Sequence, residues 1–391
     1  MRRTELLQEL RIMRFEEAYE GWTQKRFTQE EAALLLGVTD RTFRRYLCQY
    51  KADGLQGLID HRLNQLSHRR APVDEVLALT TLYGNYHNWN VKHFFKFYKN
   101  KHAGTRGYTW VKTTLQKESL VAKSSKRGVH RKKRERAPMV GMMLHQDGSD
   151  HEWVPNQRWD LIVTLDDATS EHYSMFFVEE ESTASSFRGI KETIEKKGLF
   201  CSFYTDRGSH YWITPTAGGS VDKQNLTQFG RAMRHLGIEM IPAYSPEARG
   251  RSERMFRTHQ DRLSKELAMM NITTMEVANE YLKTTYMPAF NAEFMVQAKT
   301  EGSAFVPWMN GDIDEVLCEH YERVVGKNNC VSFESLSLQI PKDQHRCHYI
   351  KATVRIHRYV TGQLALFHGP RKLAVYDAKG EPIVPSKVQV A

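Results

Sequence analysis

The sequence predicts an α/β protein with a mixed central sheet, preceded by helix-turn-helix modules and followed by a small C-terminal β-barrel. Three observations carry that expectation. Between 138 and 263 the pattern runs strand, hairpin, helix, strand, helix, strand, helix, as in a mixed sheet covered by helices. Ahead of it, residues 27–62 pair a short helix with an arginine-faced helix across a glycine. Behind it, residues 319–391 break into short alternating segments separated by turn residues.

The N-terminal modules come first. In FTQEEAALLLGVTDRTFRRYLCQYKADGLQGLIDHR, Thr28 and Glu31 have capping-box spacing. Ala32, Ala33, Leu35 and Leu36 supply a buried face, Gly37 the tight turn, Val38 the corner, and Thr39 or Asp40 the next cap. On the second helix Phe43, Tyr46 and Leu47 point inward at i, i+3, i+4 spacing, which leaves Arg41, Thr42, Arg44 and Arg45 outward to read a DNA groove. A second helical module at 72–121 ends in TRGYTWVKTTLQKESLV. There Trp110, Val111 and Leu115 are core, and Lys112, Thr113, Gln116 and Lys117 face out. AKSSKRGVHRKKRERA, 122–137, carries eight Lys/Arg and one Glu and cannot build a core. It reads as a linker whose Arg131, Lys132, Lys133 and Arg134 follow phosphates.

Charge divides the chain in the same place. Residues 1–137 hold 28 Lys/Arg against 14 Asp/Glu, and the remainder holds 28 against 32. A basic front half and a mildly acidic back half suit a nucleic-acid-binding module joined to a differently employed domain. With 391 residues, 40% apolar and 26% charged, the chain suits two to four globular domains. No apolar run is long enough for a membrane span, and MRRTELLQELRIMRF lacks a signal-peptide core, so a cytoplasmic protein without membrane partners is expected. The five cysteines are scattered and odd in number, which suits reduced thiols. Only Cys48 lies in the first 200 residues, which argues against an N-terminal zinc module.

The central region supplies the chemistry. LHQDGSDHEW puts Asp147 on the first strand, and YTDRGSHYW puts Asp206 directly after a buried strand. SPEARGRSERMFRTHQDRL forms an arginine-rich helix. On a wheel of about 100° per residue, Phe256, Leu263 and Leu267 define its core stripe, with Glu253 about 60° away at the rim. Arg257 and Gln260 flank Glu253 along that edge, suited to grip a DNA backbone. Asp261, Arg254 and Arg262 lie further round, toward solvent.

These three motifs, in this order, resemble the DDE catalytic core shared by retroviral integrases and bacterial transposases, and among them the ISNCY-type insertion-sequence transposases. The resemblance covers nearly the whole chain. It implies an RNase H-like core, with Asp147, Asp206 and Glu253 as the catalytic triad and metal ligands. Hard carboxylate oxygens suit Mg²⁺ or Mn²⁺, and two such ions per site are expected. The implied activity is that of a DNA transposase. It binds the terminal inverted repeats of an insertion sequence, cleaves their 3′ ends and transfers the strands into target DNA. Its partners are then double-stranded DNA and further copies of the chain in a synaptic complex.

The implied layout is 1–67 helix-turn-helix domain, 68–121 second helical module, 122–137 basic linker, 138–300 catalytic core with a helical extension, and 301–391 β-barrel. Two features depart from the family pattern. Asp206 and Glu253 have 46 residues between them, a wide gap in which TPTAGGSVDKQN reads as an inserted loop, and helix-turn-helix units replace a zinc module. Asp150 rivals Asp147, whereas Asp166 and Asp167 read as hairpin-turn residues. His145, His151 and His210 are expected near the site in structural or phosphate-contacting roles. The alternative function is a catalytically inactive DNA-binding regulator derived from a transposase. A nuclease of RNA–DNA hybrids would leave the helix-turn-helix units without a purpose.

Overall fold

The computed structural model describes residues 3–60, 70–123, 134–216, 219–244, 246–342 and 344–383, with the side chains of 3–6, 246–249 and 251 left aside. It separates into two compact units: Met1–Asn85 with Thr113–Leu120, and Tyr86–Lys112 with Val121–Ala391.

The first unit opens with α1 (Arg3–Thr23), α2 (Gln29–Leu35) and α3 (Asp40–Asp53). Phe15 and Ala18 of α1 pack against Ala32, Ala33, Phe43 and Leu47, so the helix-turn-helix closes on a third helix. The expected capping box forms: the Thr28 side chain accepts from the Glu31 N–H, and the Glu31 carboxylate accepts from the Thr28 N–H at 2.7 Å. Gly37 turns the chain at φ 66°, in the left-handed region where a Cβ is disfavoured. Thr39 caps α3. Arg41, Arg44 and Arg45 are exposed, Arg44 is paired with Asp40, and Thr42 is half-buried. A 3₁₀ turn (Gly54–Leu58) follows, held to α1 where the Gln8 side chain donates to the Leu58 carbonyl at 2.9 Å. The unit also holds α4 (Val73–Gly84), which buries Leu79 and Tyr83.

In the second unit α5 (Val91–Lys101) precedes α6 (Tyr108–Lys117), whose last turns belong to the first unit. On α6, Val111 and Leu115 are buried and Trp110 is half-buried. Thr113 and Lys117 are exposed, and Lys112 and Gln116 are half-buried.

The sheet of the second unit has the order β3-β2-β1-β4-β5. Its first three strands, β1 (Met143–Val154), β2 (Gln157–Asp166) and β3 (His172–Val178), form an antiparallel meander. Two short strands, β4 (Ser202–Thr205) and β5 (Glu239–Pro242), run parallel to β1. Parallel strands need crossovers, and here α7 (Thr183–Lys197) leads into β4 and α8 (Gln228–His235) into β5. The result is a mixed α/β arrangement, a five-stranded sheet with α7 and α8 in its crossovers.

Strand alternation sorts the side chains into two cores. Leu161, Val163 and Leu165 pack with Phe256, Leu263 and Leu267 of α9 (Pro246–Met269). The same cluster takes in Ala278 of α10 (Met275–Tyr281), Leu282 and Tyr286 of a π-helical turn, and Phe290 of α11 (Met287–Phe294). On the opposite face Leu144 and Phe203 meet Phe187, Ile190 and Ile194 of α7 and Phe229 and Met233 of α8. Each fully buried side chain of this size contributes roughly 1.5–3 kcal/mol.

Helix α9 corrects one expectation. Arg262, read as solvated, is buried and donates to both oxygens of Glu293 at 2.9 and 3.1 Å. The same carboxylate takes Lys96 of α5 at 2.9 Å.

The tail corrects another. A four-stranded sheet in the order β11-β10-β9-β6 is built from β6 (Glu319–Val324), β9 (Thr353–Arg358), β10 (Leu364–His368) and β11 (Arg371–Tyr376). Beside it, β7 (Cys330–Phe333) and β8 (Leu336–Gln339) pair only with each other. No closed β-barrel forms among the described residues, because no ladder joins the edge strands β6 and β11. The hairpin covers the open sheet instead: Val331, Phe333 and Leu338 pack on Val354, Ile356, Leu364 and Leu366, burying the core without closure. No described helix is long and apolar enough to cross a membrane.

Candidate active site

The central strand β1 carries the first carboxylate and sets the frame for the second. Its parallel register with β4 pairs Leu144 with Phe203 and His145 with Tyr204. Continued by two residues, that register puts Asp147 level with Asp206, which directly follows β4. Asp147 is 9% exposed and Asp206 half-buried. A parallel pair spaces neighbouring strands about 4.8 Å apart, so the two backbones present their carboxylates side by side. The turn after β4 is fixed locally: the Gly208 N–H donates to Asp206 Oδ1 at 2.9 Å, and Trp212 Nε1 donates to the Thr205 hydroxyl at 2.9 Å.

Alternation puts His145, Asp147 and Ser149 on one face of β1, the face that α9 covers. Gln260 of α9 donates to the Ser149 hydroxyl at 3.0 Å and so marks where the helix crosses the strand. Glu253 and Arg257 stand two turns and one turn before Gln260 on the same helix, and both are exposed. Thus Gln260 is engaged inside the unit, while Arg257 is open to solvent. Asp150, the rival of Asp147, lies on the other face of β1, exposed and paired with Arg158.

A buried polar network backs the carboxylates from the α7 side. Tyr211 donates its hydroxyl to Gln146 Oε1 at 2.9 Å and accepts from Ser186 at 3.2 Å. Gln146 Nε2 donates to the Thr164 hydroxyl at 2.9 Å. Burial pushes the Tyr211 hydroxyl far above its ordinary range, and the negative charges of Glu181, Asp147 and Asp206 push the same way. One tyrosine thus feels three carboxylates.

The sequence reading missed Glu181. Its carboxylate lies against Gly148, where any Cβ would collide with it, and 3.3 Å from His210 Nε2 without hydrogen-bond geometry. His210, expected near the site, packs on Tyr211 with ring centroids 3.9 Å apart. His145 donates to Asp167 Oδ1 at 2.7 Å, and Arg134 reaches the same oxygen at 2.5 Å. Burial opposes the Asp167 charge, but His145, the Ala137 N–H and Arg134 outweigh it and hold that carboxyl well below the usual range. Asp166 does serve the hairpin turn, accepting from the Thr169 N–H and hydroxyl at 2.9 and 3.1 Å. Asp167 also stands in the turn, its carboxylate held by His145, Arg134 and the Ala137 N–H. His151 sits further along β1, its ring 5.0 Å from that of Trp153. Arg131, Lys132 and Lys133 lie outside the described residues.

No family model matches the chain. A protein of Sinorhizobium fredii, y4bF, carrying a provisional transposase designation, is 29% identical over 352 residues, 87% of this chain and 75% of that protein. The transposase for insertion sequence IS1202 of Streptococcus pneumoniae is 23% identical over 367 residues, 84% of this chain and 78% of that protein. The chain is thus similar over most of its length to two bacterial transposase sequences. Among solved structures, a chain of the simian T-cell lymphotropic virus intasome in complex with a PP2A regulatory subunit aligns over 74% of this chain and 99% of its own. The TM-score is 0.34 and the identity 13%. The HTLV-2 integrase catalytic core domain in complex with magnesium aligns over 41% of this chain and 94% of its own, with a TM-score of 0.31 and 16% identity.

Three further side chains of types able to ligate a metal come together on β9 and at the start of β6. Cys318, His320 and His357 bring their ligand atoms within 4.8 Å of one another. Burial raises the Cys318 thiol to about 12. Cys48, Cys201 and Cys347 are exposed, and none of the five cysteines is in a disulfide.

Proposed function

We propose that the chain is a DDE-type DNA transposase. It binds the terminal inverted repeats of an insertion sequence, of ISNCY type, and catalyses 3′-end cleavage and strand transfer. The observation that carries the reading is the parallel pairing of β1 with β4, whose register continued by two residues sets Asp147 level with Asp206, while the helix of Glu253 crosses the same face of β1. Similarity to two bacterial transposase sequences over more than four-fifths of the chain supports it.

The donor set fits hard divalent cations, since carboxylate oxygens suit Mg²⁺ or Mn²⁺. Asp147, Asp206 and Glu253 would hold the two expected ions. When bound, the ions activate the attacking oxygen and stabilise the departing one in an in-line displacement. The chain's own residues keep the carboxylates in place. The Gly208 N–H fixes the Asp206 rotamer, and the Gln146–Tyr211–Ser186 network stiffens the strand behind Asp147. In the first step a water oxygen bonds to the scissile phosphorus and the bond to the 3′ oxygen breaks. In the second, that freed 3′-hydroxyl oxygen attacks a target phosphodiester, whose own 3′ oxygen leaves. The arginines of α3 and the basic segment ahead of β1 supply DNA affinity. Joining two ends at once calls for more than one copy of the chain in a synaptic complex.

Asp206→Asn tests the assignment, because it keeps the size and removes the charge. It should bind the element ends as the wild type does and lose 3′-end cleavage in Mg²⁺ by several orders of magnitude. Retained cleavage would sink the assignment. Absent cleavage in the wild type, with end binding intact, would favour the regulator reading.

A further inference from the structure

Away from the carboxylates, β6 and β9 assemble three side chains that the proposed reaction does not use. Cys318 and His320 are two residues apart and share one side of the chain entering β6. His357 on β9 is the direct cross-strand partner of His320. Their ligand atoms lie within 4.8 Å of one another, and Cys318 and His357 are buried.

Glu315 orients both imidazoles. His320 Nε2 donates to the Glu315 carbonyl at 3.1 Å, which leaves Nδ1 with a free lone pair. His357 Nδ1 donates to Glu315 Oε2 at 2.8 Å, which leaves Nε2 as the acceptor nitrogen. That Nε2 is buried and has no hydrogen-bond partner. A buried imidazole nitrogen without a partner calls for an explanation. Metal-bound histidines commonly donate their other ring N–H to a carboxylate or a backbone carbonyl, the arrangement seen at both residues. Glu315 is itself steadied by Tyr359, whose hydroxyl donates to it at 2.9 Å, and by Lys372.

We propose that Cys318 Sγ, His320 Nδ1 and His357 Nε2 form a zinc site with three protein ligands and a fourth position open to water. One sulfur and two nitrogens favour Zn²⁺ over Mg²⁺, which prefers oxygen. The site is therefore chemically orthogonal to the carboxylate cluster. The two rings stack 8° from parallel with centroids 3.9 Å apart. Since imidazole lone pairs lie in the ring plane, binding tilts one ring out of the stack. The thiol proton of Cys318 is released to solvent as sulfur bonds the metal. The ion would tie β9 to the chain entering β6, just after Leu317 enters the α7–α8 core.

The test loads the metal-free full-length protein with Co²⁺, a spectroscopic stand-in for Zn²⁺. With excess Mg²⁺ present to occupy the carboxylates, the expected result is about one equivalent of Co²⁺ bound, with a thiolate-to-cobalt charge-transfer band that Zn²⁺ displaces. Cys318→Ser should abolish the band, and Glu315→Gln should weaken binding about tenfold or more. Asp206→Asn should leave it unchanged, which separates this site from the transposase assignment. No band in the wild type overturns the proposal, and so does a band that survives Cys318→Ser. If Cys318→Ser fails to fold, His357→Gln decides by the same readout. If neither folds, the wild-type spectrum and its displacement by Zn²⁺ decide.

Discussion

At the scale of single residues, a buried histidine pair between β3 and α9 sets a pH dependence. His172 Nε2 and His259 Nε2 face each other at 3.1 Å, and the Tyr286 hydroxyl meets His259 Nδ1 at 3.0 Å. Burial lowers His172 to about 4 from an ordinary 6.5. Burial, joined by the charges of His172 and Arg262, lowers His259 well below its ordinary value. Both groups are neutral in the folded state, whereas the unfolded chain takes up protons below about 6.5. Their contribution is therefore complete above pH 6.5 and is lost as pH falls toward 4. For His172 alone that amounts to about 3 kcal/mol. Urea denaturation at pH 7 and pH 4.5 should show this loss, and His172→Gln should shrink it. An unchanged pH slope in the variant would contradict the neutral-pair account.

At the scale of elements, the helix-turn-helix rests on local devices that can be removed singly. Thr28→Ala deletes one half of the capping box and should cost about 1 kcal/mol. Gly37→Ala puts a Cβ at φ 66° and should cost about 1–2 kcal/mol, read as a lower urea midpoint with an unchanged slope. These devices are also why this element was legible in the sequence. A cap, a glycine and an inward Phe43/Leu47 spacing act within a few residues of one another. Helix α1 went unread because charges interrupt its apolar positions, and only packing of Phe15 and Ala18 on α2 and α3 reveals its face. In the tail, alternation identified strands but not closure, since the pairing of first and last strands is nonlocal. At the site, Asp147 and Asp206 stood in recognisable motifs. Glu181 carried no signal, because its proximity to Gly148 arises only when the segment between β3 and α7 folds back over the sheet. Arg262 was misread because the wheel locates a side chain without knowing that Glu293 awaits it on α11.

At the scale of the whole molecule, residues 1–137 are strongly basic and the remainder mildly acidic. Binding to DNA through α3 should weaken steeply with salt, because each neutralised phosphate releases counterions. Arg45 is exposed on α3. Arg45→Ala should weaken end binding and flatten the log-affinity against log-salt slope by about 1. Equal slopes for variant and wild type would remove Arg45 from the phosphate contacts.

The level register of Asp147 and Asp206 has a consequence for folding as well as for chemistry. All four residues of β4 are buried, so inside–outside patterning along it discriminates poorly between neighbouring registers. A slip of one residue would turn Asp206 to the opposite face while leaving a dense interior. Such a molecule would pass tests of compactness and secondary structure and still be inert. Cation affinity at the carboxylates would then report correct strand pairing more sensitively than any measure of global order.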